Sequence, residues 1–435
     1  MLLFPRPEDM KDIYRDPNCN TKAEFYGTGA LGPPSLFTTL DGERHRKLRK
    51  ALGGSQWTIG SLKNTWEPRI DELIVLFTEK MSDSAENQQE IVLCDKVAEF
   101  AADVLTMMAF TEPWGFVRHG RDERDFLRSW RAGLNYFGLA GRWKSFCDHI
   151  LKSPTLSPYF LPSTRDTHGM GYLAFHADQQ VSQREKEMEQ SNGNFTMKNP
   201  DLLQYCLDAR YSDGSPLTPV ERRAHVTLLI QAGADSTGTG LGSTLRFLLT
   251  HPSSMQRARS EIESAEKASK LSRPIRYEES RKHLPYFGAC IKESLRLNPP
   301  APNLFARVTP AGGKRVGGVS VPAGAEITTN AFVVQRDPEL YGPDPEAFRP
   351  ERWLDPGREG EMDAATFIFG MGPRVCLGKD VAYMEIWKLL PEIIRNLDLE
   401  LTIVTLRALL MQAKALGAVL YPFNRHLMLL TYQAV

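Results

Sequence analysis

Cys376 stands in the run Phe369-Gly370-Met371-Gly372-Pro373-Arg374-Val375-Cys376-Leu377-Gly378. Glycines at these offsets permit tight turns and close backbone approach. Arg374 puts a cation near the thiol, and a helix starting after Gly378 would turn its positive end back toward the sulfur. Both features favour thiolate over thiol. A thiolate so placed suits three chemistries: metal ligation, nucleophilic attack, or redox exchange. The residues alone leave all three open.

Other groups with chemical potential lie upstream. Asp235, Ser236 and Thr237 set a carboxylate beside two hydroxyls, a combination able to hold water and pass protons. Glu293 and Arg296, in Lys292-Glu293-Ser294-Leu295-Arg296, are spaced to pair on one helix face. That spacing also suits a solvated ion pair. Arg352, in Phe348-Arg349-Pro350-Glu351-Arg352-Trp353, is a further cation. His45 and Arg49, in HRKLR, fit either an anion site or a charged helix surface.

These residues need elements to position them. Thr218-Pro219-Val220-Glu221 reads as a helix start, with an N-cap Thr, Pro at the first position and Glu at the third. The following pattern predicts a long central helix over about 219–250, roughly 48 Å at 1.5 Å per residue. Its middle carries Gly233, Gly238, Gly240 and Gly242, each costing about 1 kcal/mol relative to alanine. Either close helix packing or a distorted turn that admits a ligand would explain them.

Helices are also expected over 66–81 and 92–110, in two stretches after His251, and from beyond Cys376 to about Asn396. The polar region 153–215 reads as helices and loops, with a charged helix near 179–190. Val308–Thr329 reads as short strands and tight turns, and Pro338–Pro356 as a meander. The fold class is mainly α with small β-sheets.

Composition narrows the function. The chain has 435 residues, 42% of them hydrophobic, and its 53 basic residues balance 53 acidic ones. No global field points to nucleic acid. Six dispersed cysteines without a CxxC pair read as reduced thiols. No window reaches the length of a membrane span, and the best late stretch, Leu399 to Phe423, is broken by Glu400, Arg407 and Lys414.

Taken together, FxxGxRxCxG at 369–378 with Ala382 and Glu385, AGADST at 232–237, ExxR at 293–296 and the FRPERW segment resemble the cytochrome P450 family, in the family's order. The style is that of microsomal members from filamentous fungi, such as pisatin demethylase-like enzymes. The resemblance implies one P450 domain over 1–435 and a haem-thiolate monooxygenase. Cys376 would ligate the iron of haem b, and a thiolate ligand favours O–O cleavage. His45, Arg49, Arg307 and Arg374 would face the haem propionates, with Phe369 and Gly378 also at the haem. Asp235 and Ser236, with Thr237 next, would deliver protons. Ser236 replaces the usual Thr and loses the methyl that helps fix the rotamer. Glu293, Arg296 and Arg352 would hold the cysteine loop. Ile230, Ala234, Leu304 and Phe305 would line the substrate pocket.

No GxGxxG follows an expected strand and opens a helix, so electrons would come from a separate protein. The resemblance names NADPH–cytochrome P450 reductase, docking on Arg44, Arg46, Lys47, Lys50, Lys379 and Lys388. The substrate would be a small lipophilic molecule hydroxylated or O-demethylated with O2, at the cytosolic face of the endoplasmic reticulum. The ends depart from the pattern: the anchor and first sheet strand of microsomal members are not matched, and the tail from about 403 does not resemble the closing hairpin. Membrane association is left open accordingly. Two alternatives remain, a reductase-independent haem-thiolate isomerase and a catalytically impaired haem-binding protein from a truncated gene.

Overall fold

The computed structural model describes residues 1–191, 195–197, 199–402 and 429–431. Its centre is the long helix Pro219–Thr250. The capping box forms as its residue types require: Thr218 Oγ1 accepts from the Glu221 N–H at 3.2 Å, and Glu221 Oε2 accepts from the Thr218 N–H at 2.9 Å. Burial alone would raise the Glu221 carboxyl. Hydrogen bonds from Thr218, Tyr211 and Arg44 outweigh that effect and hold it at about 2.

The central glycines are explained by packing. The helix is α-helical throughout, without the distorted turn that was the other explanation. A Cβ on Gly238 would lie 2.7 Å from Ala98 Cα, and one on Gly233 would lie 2.6 Å from Leu105 Cδ1. Both neighbours belong to the helix Leu93–Phe110, which crosses the central helix at backbone contact. On another side, Gly240 admits Leu295 and Ile386. These come from the helices Pro285–Leu297 and Lys379–Asn396, so the motif-bearing segments meet at the central helix.

The largest core joins these helices to Glu67–Glu86, whose Ile70, Leu73, Ile74, Phe77 and Met81 are buried at helical spacing. Phe77 meets Phe100 edge-on with centroids 5.7 Å apart. The charged stretch near 179–190 belongs to a longer helix, Gly169–Gln190, which starts earlier because Met170, Leu173 and Ala177 also face the core.

Strands are short. β1 (Leu2–Leu3), β6 (Glu326–Thr328) and β3 (Arg307–Val308) form one sheet in the order β1-β6-β3. β4 (Lys314–Val316) and β5 (Val319–Val321) form a hairpin across Gly317-Gly318. Both glycines have positive φ, 53° and 81°, as the tight turn demands. β2 (Ile91–Val92), β8 (Leu429–Thr431) and β7 (Glu400–Thr402) form the third sheet. The rest of the tail from Ile403 lies outside the described residues. Among the described residues no helix is long and apolar enough to cross a membrane.

Candidate haem site

The cysteine loop is built on local turns. Gly370 and Gly372 both have φ 70°, and a Cβ on Gly372 would overlap the Tyr14 carbonyl. The Cys376 N–H donates to Phe369 O at 2.8 Å, which closes the loop, and Phe369 packs on Tyr383 with centroids 4.9 Å apart. The next residues start the helix Lys379–Asn396 after Gly378. Cys376 is exposed, yet protein atoms surround its sulfur. That enclosure raises the thiol pKa. The Gly378 N–H, Arg49 and Lys379 pull it down, with a smaller total effect.

The expected role of Arg374 in favouring the thiolate is therefore corrected. Its guanidinium turns away and donates to Asn20 O at 2.9 Å, Thr39 O at 2.9 Å and Leu40 O at 3.1 Å. Arg49 takes the nearer position, donating to Val375 O at 2.7 Å. Arg374 instead ties the cysteine loop to the segment before the helix Gly42–Leu52.

Beside that loop lies a group of buried basic side chains. His45 is buried, which removes the reading of a charged helix surface, and its Nδ1 has no partner. Burial, followed by the charges of Arg374, Lys22, Arg49 and Arg307, pushes its pKa down to about 3. Arg307 is buried and donates to the carbonyls of Phe305 and Ala306, at 2.9 and 3.3 Å. Burial and the Arg307 charge lower Arg374 to about 9. Lys22, which sequence reasoning missed, completes the group. An assembly of buried donors with one orphaned ring nitrogen fits a ligand bearing carboxylates. With the Cys376 thiol alongside, the donor set fits haem.

Ala232 and Ser236, four residues apart on the central helix, share one face and are both exposed. Ser236 Oγ donates to Ala232 O at 2.8 Å. Asp235 does not bond Ser236. It accepts from Arg131 Nε at 3.0 Å, and Arg131 Nη1 also donates to Asp95 at 3.0 Å. Thr237 is buried. Ile230 and Ala234 were expected to line the pocket, but each is only 1% exposed and belongs to the core cluster that includes Leu105 and Leu203. Ala234 is about 200° round the helix from Ser236, so helical geometry excludes both facing one space. Leu304 and Phe305 are half-buried, and Leu304 O accepts from Tyr26 OH at 3.1 Å.

Glu293, Arg296 and Arg352 do come together. Glu293 is 0% exposed and accepts from Arg296 Nε and Nη2, both at 2.8 Å, and from Arg352 Nε at 2.9 Å. It also accepts from the Arg349 N–H at 3.0 Å and Trp353 Nε1 at 2.8 Å. These bonds outweigh burial and keep its pKa low. Gln335 then links this cluster to the cysteine loop. Its side chain donates to Arg296 O and accepts from the Phe367 N–H, each at 2.9 Å. Neither Trp353 nor Gln335 was assigned a role from sequence, and a polar residue in an apolar run was the one signal for Gln335.

A family profile described as cytochrome P450 matches residues 6–417. The chain belongs to the cytochrome P450 family. Among its relatives are cytochrome P450 monooxygenase aba1 of Botryotinia fuckeliana, 30% identical over 92% of this chain and 77% of that protein, and pisatin demethylase of Fusarium vanettenii, 29% identical over 92% and 76%. Cytochrome P450 monooxygenase mpaDE of Penicillium brevicompactum is 29% identical over 92% of this chain but only 47% of that protein, so the chain spans about half of that relative. A crystal structure of a cytochrome P450 matches with TM-score 0.73 at 19% identity, covering 93% of this chain and 84% of the other. That likeness establishes the fold alone. As a family member the chain is a monooxygenase, an oxidoreductase that uses haem, O2 and a lipophilic substrate.

In this P450 the proposed basic docking face is smaller than expected. Lys388 is fully buried, paired with Glu67 at 2.9 Å and Asp71 at 2.7 Å. Arg44 and Arg46 pair with Glu221 and Glu43. Lys47, Lys50 and Lys379 are exposed, as are the paired Arg44 and Arg46.

Proposed function

We propose that this P450 hydroxylates or O-demethylates a small lipophilic molecule of fungal secondary metabolism, with Cys376 as the thiolate ligand of haem b. The observation that carries the reading is the Cys376 loop beside the buried basic side chains of His45, Arg307 and Arg374. Bound haem supplies the oxygen-activating chemistry. The protein's part is to bind, orient and move protons.

Arg307 and Arg374 would neutralise the propionates through charge-assisted hydrogen bonds, and His45, neutral where it is buried, would add a ring nitrogen that has no other partner. Arg49 holds the loop by its bond to Val375 O. Phe369 and Gly378, which bracket the Cys376 loop, would border the haem. Ser236 Oγ, on the accessible helix face, holds a water, and Asp235 supplies the proton. Asp235 is tied to Arg131, so its carboxylate must turn from that guanidinium to reach the Ser236 side. Leu304 and Phe305 border the substrate. Glu293, Arg296 and Arg352 position the loop and touch no substrate.

Electrons come from NADPH–cytochrome P450 reductase at the endoplasmic reticulum, docking on Lys47, Lys50 and Lys379. The relatives named as monooxygenases and a demethylase support the reaction class. The carbon monoxide difference spectrum of the reduced, haem-loaded protein tests the ligand assignment. A thiolate-type Soret band lost in Cys376→Ala is the expected result. A band of neutral-ligand type in the wild type would overturn the assignment.

A further inference from the structure

Among the described residues six lysine and arginine side chains are buried, and four of them are paired with a carboxylate. Arg184 pairs with Asp201 at 2.7 Å, Arg296 and Arg352 with Glu293 at 2.8 and 2.9 Å, and Lys388 with Glu67 at 2.9 Å. Lys22, 4% exposed, breaks the pattern. Among the described residues no carboxylate pairs with it, nor with the buried Arg307. A buried charge without a counter-charge is costly, and removal from water is repaid only by good partners.

Lys22 is also held against other cations. Its residue forms an antiparallel bridge with Arg307, which sets like charges on paired positions. Its N–H donates to Leu40 O at 3.0 Å, the same carbonyl that accepts from Arg374 Nη2 at 3.1 Å. Lys22 Nζ donates to Phe37 O at 2.5 Å and lies 4.0 and 3.9 Å from the ring centroids of Tyr26 and Phe37. One carbonyl and two ring faces are weak compensation for a full charge. The group as a whole calls for an anion with more than one negative oxygen.

We propose that Lys22 binds a haem carboxylate together with Arg307 and Arg374, a cofactor contact outside the signature motifs. The inference rests on the haem reading above. It makes the segment Asn20–Lys22 part of the cofactor seat rather than a linker before the helix Gly42–Leu52. The aromatic faces of Tyr26 and Phe37 would hold the ammonium in place for the carboxylate without neutralising it.

The test compares wild type and Lys22→Met, each loaded with native haem or with haem dimethyl ester, whose carboxylates are uncharged. Haem loss is followed by transfer to apomyoglobin, and thermal midpoints are measured with and without haem. The substitution should speed loss of native haem about ten- to a hundredfold, the effect of losing one charge-assisted bond. Loss of the ester should change little. Without haem, Lys22→Met should be at least as stable as wild type, because an uncompensated buried charge is gone. Lys22→Arg should recover part of the native-haem retention. Equal losses for haem and ester, no change for either, or a destabilised haem-free protein would each overturn the role and make Lys22 structural. Failure of wild type to give a thiolate-type spectrum would instead defeat the haem reading itself.

Discussion

Gly238→Ala and Gly242→Ala should shift stability in opposite directions, although both replace a buried glycine in one helix. Alanine gains about 1 kcal/mol over glycine in a helix interior. At Gly242 the new Cβ would meet Cys94 Cβ at 3.5 Å and Val97 Cγ2 at 3.9 Å, ordinary contacts, so the gain is kept. At Gly238 it would meet Ala98 Cα at 2.7 Å and Cβ at 2.8 Å, and main-chain atoms cannot rotate away. Overpacking of this kind costs about 1–3 kcal/mol, and a backbone obstacle puts Gly238 at the upper end. The net expectation is about +1 kcal/mol for Gly242→Ala and about −2 kcal/mol for Gly238→Ala. Urea unfolding followed by tryptophan fluorescence reads both. Adding Ala98→Gly should rescue little, because Ala98 Cα is itself the nearest atom. Shifts of the same sign, or full rescue, would refute the packing account of these glycines.

Four further outcomes are expected. Glu293→Gln leaves the Arg296 and Arg352 guanidiniums buried without a counter-charge, and should cost about 3–5 kcal/mol and most of the haem-loaded yield, read from the Soret band per protein. Gln335→Leu leaves the Phe367 N–H and Arg296 O unpaired, at about 1–3 kcal/mol each, and should increase the neutral-thiol fraction of the carbon monoxide spectrum; an unchanged spectrum would sever the link between the two clusters. Asp235→Asn should lower the turnover rate by about a hundredfold, and a rate equal to wild type would remove Asp235 from proton delivery. Glu221 is held at about 2 against an ordinary 4.5, so its contribution is complete above pH 4.5 and fades as the pH falls toward 2. Glu221→Gln should cost at most about 3 kcal/mol at pH 7 and nothing near pH 2, measured by unfolding across that range.

What could be read in the sequence follows the range of the interactions involved. The Thr218–Glu221 cap, the cysteine loop and the Glu293–Arg296 pair are local, so residue type and spacing specify them. Helical phase was also available locally: it separates Ser236 from Ala234, and applying it would have kept Ile230 and Ala234 out of the pocket. Lys388 is different. Its charge suits a surface until Glu67 and Asp71, more than 300 residues away, arrive to pair with it. Arg131 likewise joins Asp95 and Asp235 from two other helices. Lys22 gave no pattern at all, since its meaning depends on Arg307 across a β-bridge. Nor could the choice between a kinked and a packed helix be made until Ala98 was placed against Gly238.

The Glu293 cluster shows why motif residues without contact to the reacting centre belong with it. Glu293 accepts from Arg296, Arg352, Arg349 N–H and Trp353, so one carboxylate fixes the end of the helix Pro285–Leu297 and the meander at once. The guanidiniums and N–H donors around Glu293 offset its burial and hold its pKa low. Arg296 then gives Nη1 to Gln335 O at 2.7 Å and receives the Gln335 side chain on its own carbonyl. Gln335 Oε1 takes the Phe367 N–H, at the entrance to the cysteine loop. From the other direction Arg49 and Arg374 hold Val375 O and the carbonyls of Asn20, Thr39 and Leu40. The loop is thus pinned from two sides, by a cluster built round the Glu293 carboxylate on one and by basic side chains that lack a carboxylate on the other. On the second side His45 Nδ1 has no partner, and a carboxylate-bearing cofactor would supply the counter-charge that this side lacks.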